Sequence, residues 1–99
     1  MRGTYVKVEW RHDLENEPVL LMSEIEDGWE VRKVEVYRDG RSERAGAGIE
    51  SDTCRLSIVP FPDLEEIAAD PQFRILPTSR EEFQQYWGHA RTGEDSPSR

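Results

Sequence analysis

The chain has 99 residues, with 21 acidic and 13 basic side chains and a formal net charge of −8 at pH 7. This length suits one domain with a single core, and the negative charge disfavours DNA or RNA as a partner, because phosphate recognition needs clustered positive charge. There is no apolar run of the roughly 18 residues that a membrane helix needs, no signal-peptide core at the start, and only one cysteine, Cys54. These features predict a cytoplasmic protein without disulfides.

The first two predicted strands differ in their pattern. Residues 4–12 alternate, with Val6, Val8 and Trp10 on one side, which is typical of a strand with one buried face. Residues 17–26 contain a run that is apolar on both sides, which favours a central strand or one covered on both faces.

The third predicted strand, residues 29–38, contains two apolar pairs that are out of phase. Trp29 and Val31 fall on one side of a flat strand, whereas Val34 and Val36 fall on the other, because side chains alternate along a strand. A β-bulge or sharp bend near Arg32-Lys33 would reconcile them and would direct a cation to a defined place.

The remaining elements change from strand to helix. Two weaker strands are predicted at 41–49 and 53–59, followed by a short helix that begins after Asp63 and ends before Pro71. Residues 72–76 are predicted to be an extended connector. A second helix begins at a capping box with Ser79 as N-cap, and its apolar side carries Phe83, Tyr86, Trp87 and Ala90.

Together these elements predict an α+β fold, with an antiparallel sheet of about five strands followed by two C-terminal helices packed on one face. The domain is expected to span residues 1–90. Residues 91–99 lack an apolar anchor and are expected to form a disordered tail.

Several short segments occur in a characteristic order along nearly the whole chain: Val6-Lys7-Val8-Glu9-Trp10, His12-Asp13, Glu17-Pro18-Val19, Ser23-Glu24, Glu30 to Glu35, Asp39-Gly40, Leu64 to Ile67, Asp70 to Phe73 and Glu81-Glu82-Phe83. On these segments the chain resembles a family of small bacterial proteins described as a domain of unknown function. The resemblance implies no established activity. Some small acidic bacterial proteins of this kind resemble immunity proteins, which neutralise a toxin.

Charge is unevenly distributed along the chain. Residues 9–30 contain eight acids and one base, whereas residues 31–44 contain five bases and three acids. One interpretation is solubility combined with ion pairs between neighbouring strands. The other is an acidic docking face for a basic partner.

The leading hypothesis is therefore a non-enzymatic binding protein, of the immunity type, that inhibits a basic partner protein. Neither nucleic acid nor a membrane is expected as a partner, and the chain is expected to be a monomer or a weak homodimer. The candidate binding residues are Trp10, His12, Glu24, Trp29, Arg32, Glu35 and Arg38. The acids expected to steer the partner are Asp13, Glu15, Glu17, Glu26 and Asp27.

The alternative hypothesis is a small ligand-binding or hydrolytic domain. In that case Glu9, Glu24 and Glu35 would share one sheet face, and His12 would work with one of the last two in acid–base chemistry. No catalytic residue is assigned.

A third hypothesis is a structural or regulatory module that pairs through the sheet edge near residues 41–48.

No metal or other cofactor is predicted from the sequence. A calcium loop starting at Asp13 fails because Pro18 stands where the loop needs glycine. His12, His89 and Cys54 lack the paired spacing of zinc ligands.

Overall fold

The computed structural model describes residues 3–48 and 54–90. Over these ranges the α+β prediction is confirmed, because the chain forms a five-stranded antiparallel sheet and two helices. The strands are β1 (Thr4–Trp10), β2 (Leu20–Glu26), β3 (Trp29–Val36), β4 (Ser42–Gly46) and β5 (Phe73–Leu76), and the helices are α1 (Leu64–Ala68) and α2 (Arg80–His89). The predicted disordered tail lies outside the described residues. Neither of these helices has the length and apolar character that crossing a membrane requires.

Strand β2 occupies the centre of the sheet, as its apolar run predicted. The strand order is β4-β3-β2-β1-β5, and each neighbouring pair is antiparallel. Strands β2 and β3 are joined by a two-residue turn at Asp27 and Gly28, whose φ angles are 54° and 83°. Positive φ at both positions is the geometry that an Asp-Gly pair favours in a tight hairpin.

The fifth strand is not the one that the sequence pattern predicted. Residues 54–59 of the predicted strand 53–59 form no strand, whereas Phe73–Leu76, expected to be a connector, pairs with β1 as the edge strand β5. The strand is only four residues long and lies between two prolines, Pro71 and Pro77. Its pairing partner is the otherwise open edge of β1, and a partner so distant in the chain leaves no local sequence signal.

The two helices do not cover the same side of the sheet, in contrast to the prediction. Helix α2 places the fully buried Phe83 against Met22 and Val34, on the side that we call the helix face. Helix α1 lies beside β5, and its Ile67 lines a cavity with residues of the opposite side, such as Ser23, which we call the cavity face. The capping box of α2 forms in part, because the Glu82 amide donates to the Ser79 hydroxyl at 3.1 Å.

The predicted bulge in β3 is present. Glu30 lies opposite Ile25 and Arg32 lies opposite Glu24, so Val31 is the extra residue. Gly46 of β4 packs directly against this bulge, with a φ of 116°, and a Cβ at that position would lie 2.4 Å from the Val31 carbonyl oxygen. Just beyond the bulge, Arg32 lies against Phe83 on the helix face, and Lys33 lines the cavity on the opposite face.

Candidate functional site

The seven predicted binding residues fall in four separate places rather than on one surface. Trp10, His12 and Arg38 meet at the β1–β2 loop, and Glu24 and Arg32 meet on the helix face. Glu35 lies on the cavity face, while Trp29 lies at the β2–β3 turn.

His12 closes the β1–β2 loop through both of its ring nitrogens. The Leu14 amide donates to Nδ1 at 2.9 Å, and Nε2 lies 2.8 Å from the Pro18 carbonyl oxygen. Because Nδ1 accepts, Nε2 carries the proton and donates to that carbonyl. Arg38 holds the same loop from the other side by donating to the His12 carbonyl oxygen at 2.6 Å. This histidine therefore maintains the loop, and neither nitrogen is available as a general base.

The predicted steering acids form two groups at opposite ends of β2. Asp13, Glu15 and Glu17 are exposed on the β1–β2 loop, whereas Glu26 and Asp27 lie at the β2–β3 turn. Strand β2 is seven residues long and ends at Glu26, so the two groups lie roughly 20 Å apart.

The ion pair of Glu24 with Arg32 is an internal contact of the helix face. Arg32 Nε donates to Glu24 Oε1, the Tyr5 hydroxyl donates to Glu24 Oε2 at 2.9 Å, and the guanidinium carbon lies 4.9 Å from the ring centres of Phe83 and Trp87. Burial pushes the pKa of Glu24 upward, but the hydrogen bonds from Arg32 and Tyr5 outweigh burial and lower the pKa. The pair is balanced in charge and covered by α2.

Glu35 lies on the opposite face from Glu24, which corrects the expectation of a shared carboxylate patch. Glu35 lies opposite Leu21, whereas Glu24 lies opposite Tyr5 and Arg32. With His12 held in its loop, the structure assembles neither of the predicted pairs of histidine and glutamate.

The cavity face contains a polar cluster that the sequence pattern did not reveal. Glu30 is only 8% exposed. Its carboxylate accepts from the Ser23 hydroxyl at 2.6 Å and from the Ser57 amide at 3.0 Å. Lys33 Nζ lies 3.8 Å from Glu30 Oε1 and 3.3 Å from Glu35 Oε2. Because the bulge alone turns Glu30 inward, residue spacing without the bulge position could not identify this cluster.

Glu35 also belongs to a group that offers metal-ligand atoms. A carboxylate oxygen of Glu35, one of Glu43 and the thiol of Cys54 lie within 4.8 Å of one another. Burial, followed by the nearby charge of Glu35, raises the pKa of Cys54 to about 12. The thiol is therefore held protonated and hydrogen-bonded to Glu35, and a metal ion would have to displace that proton.

Apolar side chains are exposed at the β2–β3 turn. Trp29 is 46% exposed, Ile58 91% and Val59 58%. The Ser57 amide donates to Glu30, and the Phe61 amide donates to the Gly28 carbonyl oxygen at 2.7 Å, so the intervening residues run beside the turn. We call Trp29, Ile58 and Val59, together with the adjacent acids Glu26 and Asp27, the turn surface.

Residues 4–92 match the model of a family described as a domain of unknown function, DUF6881. The chain belongs to this family. The match confirms the predicted resemblance to a domain of unknown function and spans every strand and helix of the described residues. Comparisons with curated proteins and with solved structures return no match.

The family description assigns no activity. Two regions of the described residues are candidate sites. One is the turn surface, with its exposed apolar side chains. The other is the cavity, with its buried excess of carboxylates.

Proposed function

We propose that this DUF6881 domain is a non-enzymatic binding protein that docks a basic partner protein on the turn surface. The observation that carries the proposal is the exposure of Trp29 at the β2–β3 turn, opposite Glu26 and next to the stretch of backbone that carries the exposed Ile58 and Val59 past the turn. Tryptophan is enriched among the residues that dominate binding energy at protein interfaces. Acids at the rim of such an apolar centre favour a partner with complementary positive charge.

The backbone around the turn surface supports docking, because it is ordered before a partner arrives. The backbone amides of Ser57 and Phe61 donate to Glu30 and Gly28 and so fix residues 57–61, which we call the covering segment, beside the turn. The tight hairpin with Gly28 fixes the position of Trp29. A surface that is already ordered loses less conformational entropy on association.

The acids of the β1–β2 loop have a different role in this proposal. They lie roughly 20 Å from the turn surface, more than two Debye lengths at physiological salt, where the Debye length is about 8 Å. Asp13, Glu15 and Glu17 therefore accelerate the encounter at low salt and contribute little to the bound complex.

An immunity-type inhibitor is the form of this function that the resemblance to small acidic bacterial proteins favours. In this form the partner is a basic toxin whose working surface is covered by the bound domain. The inhibitor acts in the cytoplasm, as a monomer or weak homodimer, and requires no cofactor.

The test uses the immobilised domain as bait for a lysate of the source cells, at low and at high salt. The baits are the wild-type chain, a Trp29→Ala/Ile58→Ser variant, and a control with Asp13, Glu15 and Glu17 all changed to lysine. We expect the wild-type bait to capture one basic protein, with less captured at high salt. The control bait should still capture this protein at physiological salt, and the Trp29→Ala/Ile58→Ser bait should not.

Affinity measurements with the recovered protein complete the test. Trp29→Ala alone should raise the dissociation constant by about 30-fold or more, which is the range for an anchor residue. Equal binding by the wild-type and Trp29→Ala chains, or stronger dependence on the loop acids than on the turn surface, would reject this docking site. A toxin partner is identified if expression of the partner alone arrests growth and co-expression of the domain restores it.

A further inference from the structure

A cavity of about 260 Å³ lies between the cavity face and the segment that covers it. Its apolar wall comes from strands β1, β2 and β5, from the covering segment and from α1, through Val8, Leu21, Phe73, Phe61 and Ile67. Ligand sites are typically concave and mainly apolar, with a few convergent polar groups. The cavity has this composition, because the polar cluster forms one side of it.

The polar side of the cavity has more negative than positive charge. Glu30 and Glu35 provide two carboxylates, and Lys33 provides the ammonium group between them. Burial raises the pKa of Glu35. The charge of Lys33 offsets part of this rise, and the charge of Glu43, opposite Glu35 on β4, increases it. The Glu35 side chain is the more accessible of the two acids, at 13% exposed against 5% for Glu30, so Glu35 is the carboxylate that a ligand in the cavity reaches more easily.

The geometry points to a small primary amine with an apolar body as the ligand of this cavity. Its ammonium group would supply the missing positive charge beside Glu35, and its body would contact Leu21, Phe61 and Ile67. A cavity of about 150 Å³ is enough for benzene, so this cavity has room for an aromatic ring with a short alkylamine chain. An anionic ligand is disfavoured, because two carboxylates would repel it and the lysine is already paired with both of them. The site is independent of the turn surface, since it needs neither Trp29 nor Ile58.

The test compares three probes of one shape and different charge: 2-phenylethylamine, 2-phenylethanol and 3-phenylpropionate. Each is titrated into the isotope-labelled full chain, and amide chemical shifts report both affinity and location. We expect saturable binding of the amine with shifts at Leu21 and Phe73, binding of the alcohol weaker by about tenfold or more, and no binding of the acid. Failure of the amine to saturate, equal binding of amine and alcohol, or binding of the acid would overturn the proposal.

Variants separate the cavity from general attraction to an acidic protein. Glu35→Gln should weaken binding of the amine by about tenfold and leave binding of the alcohol unchanged. Glu65→Gln, at an exposed acid of α1, should change the affinity of neither probe. Ile67→Trp should fill the cavity and abolish binding of both probes, with circular dichroism confirming that the variant folds. Equal losses for Glu35→Gln and Glu65→Gln would show attraction to surface charge only and would also overturn the proposal.

Discussion

On the helix face, Arg32 meets one carboxylate, lies against two aromatic rings and is covered by α2. On the cavity face, its neighbour Lys33 lies between two carboxylates beside a partly empty chamber. The first arrangement is balanced in charge and filled with side chains. The second has an excess carboxylate and unfilled volume. Two adjacent cations of the same strand therefore serve a structural contact in one case and a candidate binding site in the other.

The single extra residue at the bulge, Val31, determines which face of the sheet each of its neighbours occupies. Arginine suits the covered side, because its planar guanidinium stacks on rings while donating in a fixed direction. Lysine suits the open side, because its ammonium group can move between two acceptors. The bulge at Val31 determines which acid each cation meets, since it places Glu30 rather than Trp29 on the cavity face.

The largest expected effect concerns the reactivity of Cys54, which lies beside Glu35 and reports how closed the cavity face is. Burial raises the pKa of this thiol from 9.0 to about 12, so its thiolate fraction at pH 8 falls about a thousandfold. The greater intrinsic nucleophilicity of a high-pKa thiolate returns part of that loss. We expect alkylation by iodoacetamide to be at least about 100-fold slower in the native chain than in the urea-unfolded chain. Similar rates in the two states would mean that this side of the sheet is open.

The next effect tests the bulge that separates the two cations. Gly46→Ala places a Cβ 2.4 Å from the Val31 carbonyl oxygen at a φ of 116°, so backbone strain and steric overlap combine. We expect the free energy of unfolding to fall by about 2–4 kcal/mol, measured by urea denaturation. Gly40→Ala is the matched control, because its φ is 93° but nothing lies within 4 Å of an added Cβ. The control should lose only about 1 kcal/mol, and equal losses would contradict the close contact between Gly46 and the bulge.

The parts of this architecture that sequence could predict are those with a local signal. Strand β2 showed its central position through an apolar run, and α2 showed its start through Ser79 and its buried side through Phe83. The bulge was predictable because Trp29 and Val34 are out of phase. Each signal lies within a few residues of the feature that it predicts.

The parts that sequence could not predict depend on distant partners. Phe73–Leu76 becomes a strand only because the edge of β1 is available, and Glu30 enters the polar cluster only because the bulge position and the Ser57 amide are both in place. Assigning the predicted site residues to faces needed the exact register of four strands. Glu24 and Glu35 therefore seemed to share a surface that the structure divides between two sides.

A third effect distinguishes the faces through pH. Burial raises the pKa of Glu24, but the bonds from Arg32 and Tyr5 outweigh burial and lower it. A lowered pKa means that the carboxylate stabilises the fold fully above its unfolded pKa of about 4.3, and that this contribution is lost as pH falls through the folded pKa. Glu24→Gln should therefore cost about 1–2 kcal/mol at pH 7, with a smaller difference from wild type at pH 3.5. Chemical denaturation at both pH values measures this, and an equal difference at both would show that the charge of Glu24 is not the cause.

The smallest expected effect is a gain in the free energy of unfolding on substitution of Glu35, opposite in sign to the loss expected for Glu24. It is the sharpest test of the difference between the two faces. Burial raises the pKa of Glu35, so the folded chain binds this proton more tightly than the unfolded chain. The charged carboxylate then destabilises the fold above its folded pKa and contributes no such cost below the unfolded pKa of about 4.3. Glu35→Gln should therefore stabilise the chain at pH 7 by up to about 1 kcal/mol and leave stability unchanged at pH 3.5.

Glu65→Gln, at an exposed site, controls for the change in net charge and should have almost no effect. A loss of stability at pH 7 for Glu35→Gln, as is expected for Glu24→Gln, would mean that the ion pair of Lys33 with Glu35 stabilises the fold, as the ion pair of Arg32 with Glu24 does. The cavity face would then be as balanced as the helix face, and the excess charge that would attract an amine would not exist. Opposite signs for the two variants would mean that the fold bears a cost at Glu35, which a cationic ligand is suited to relieve.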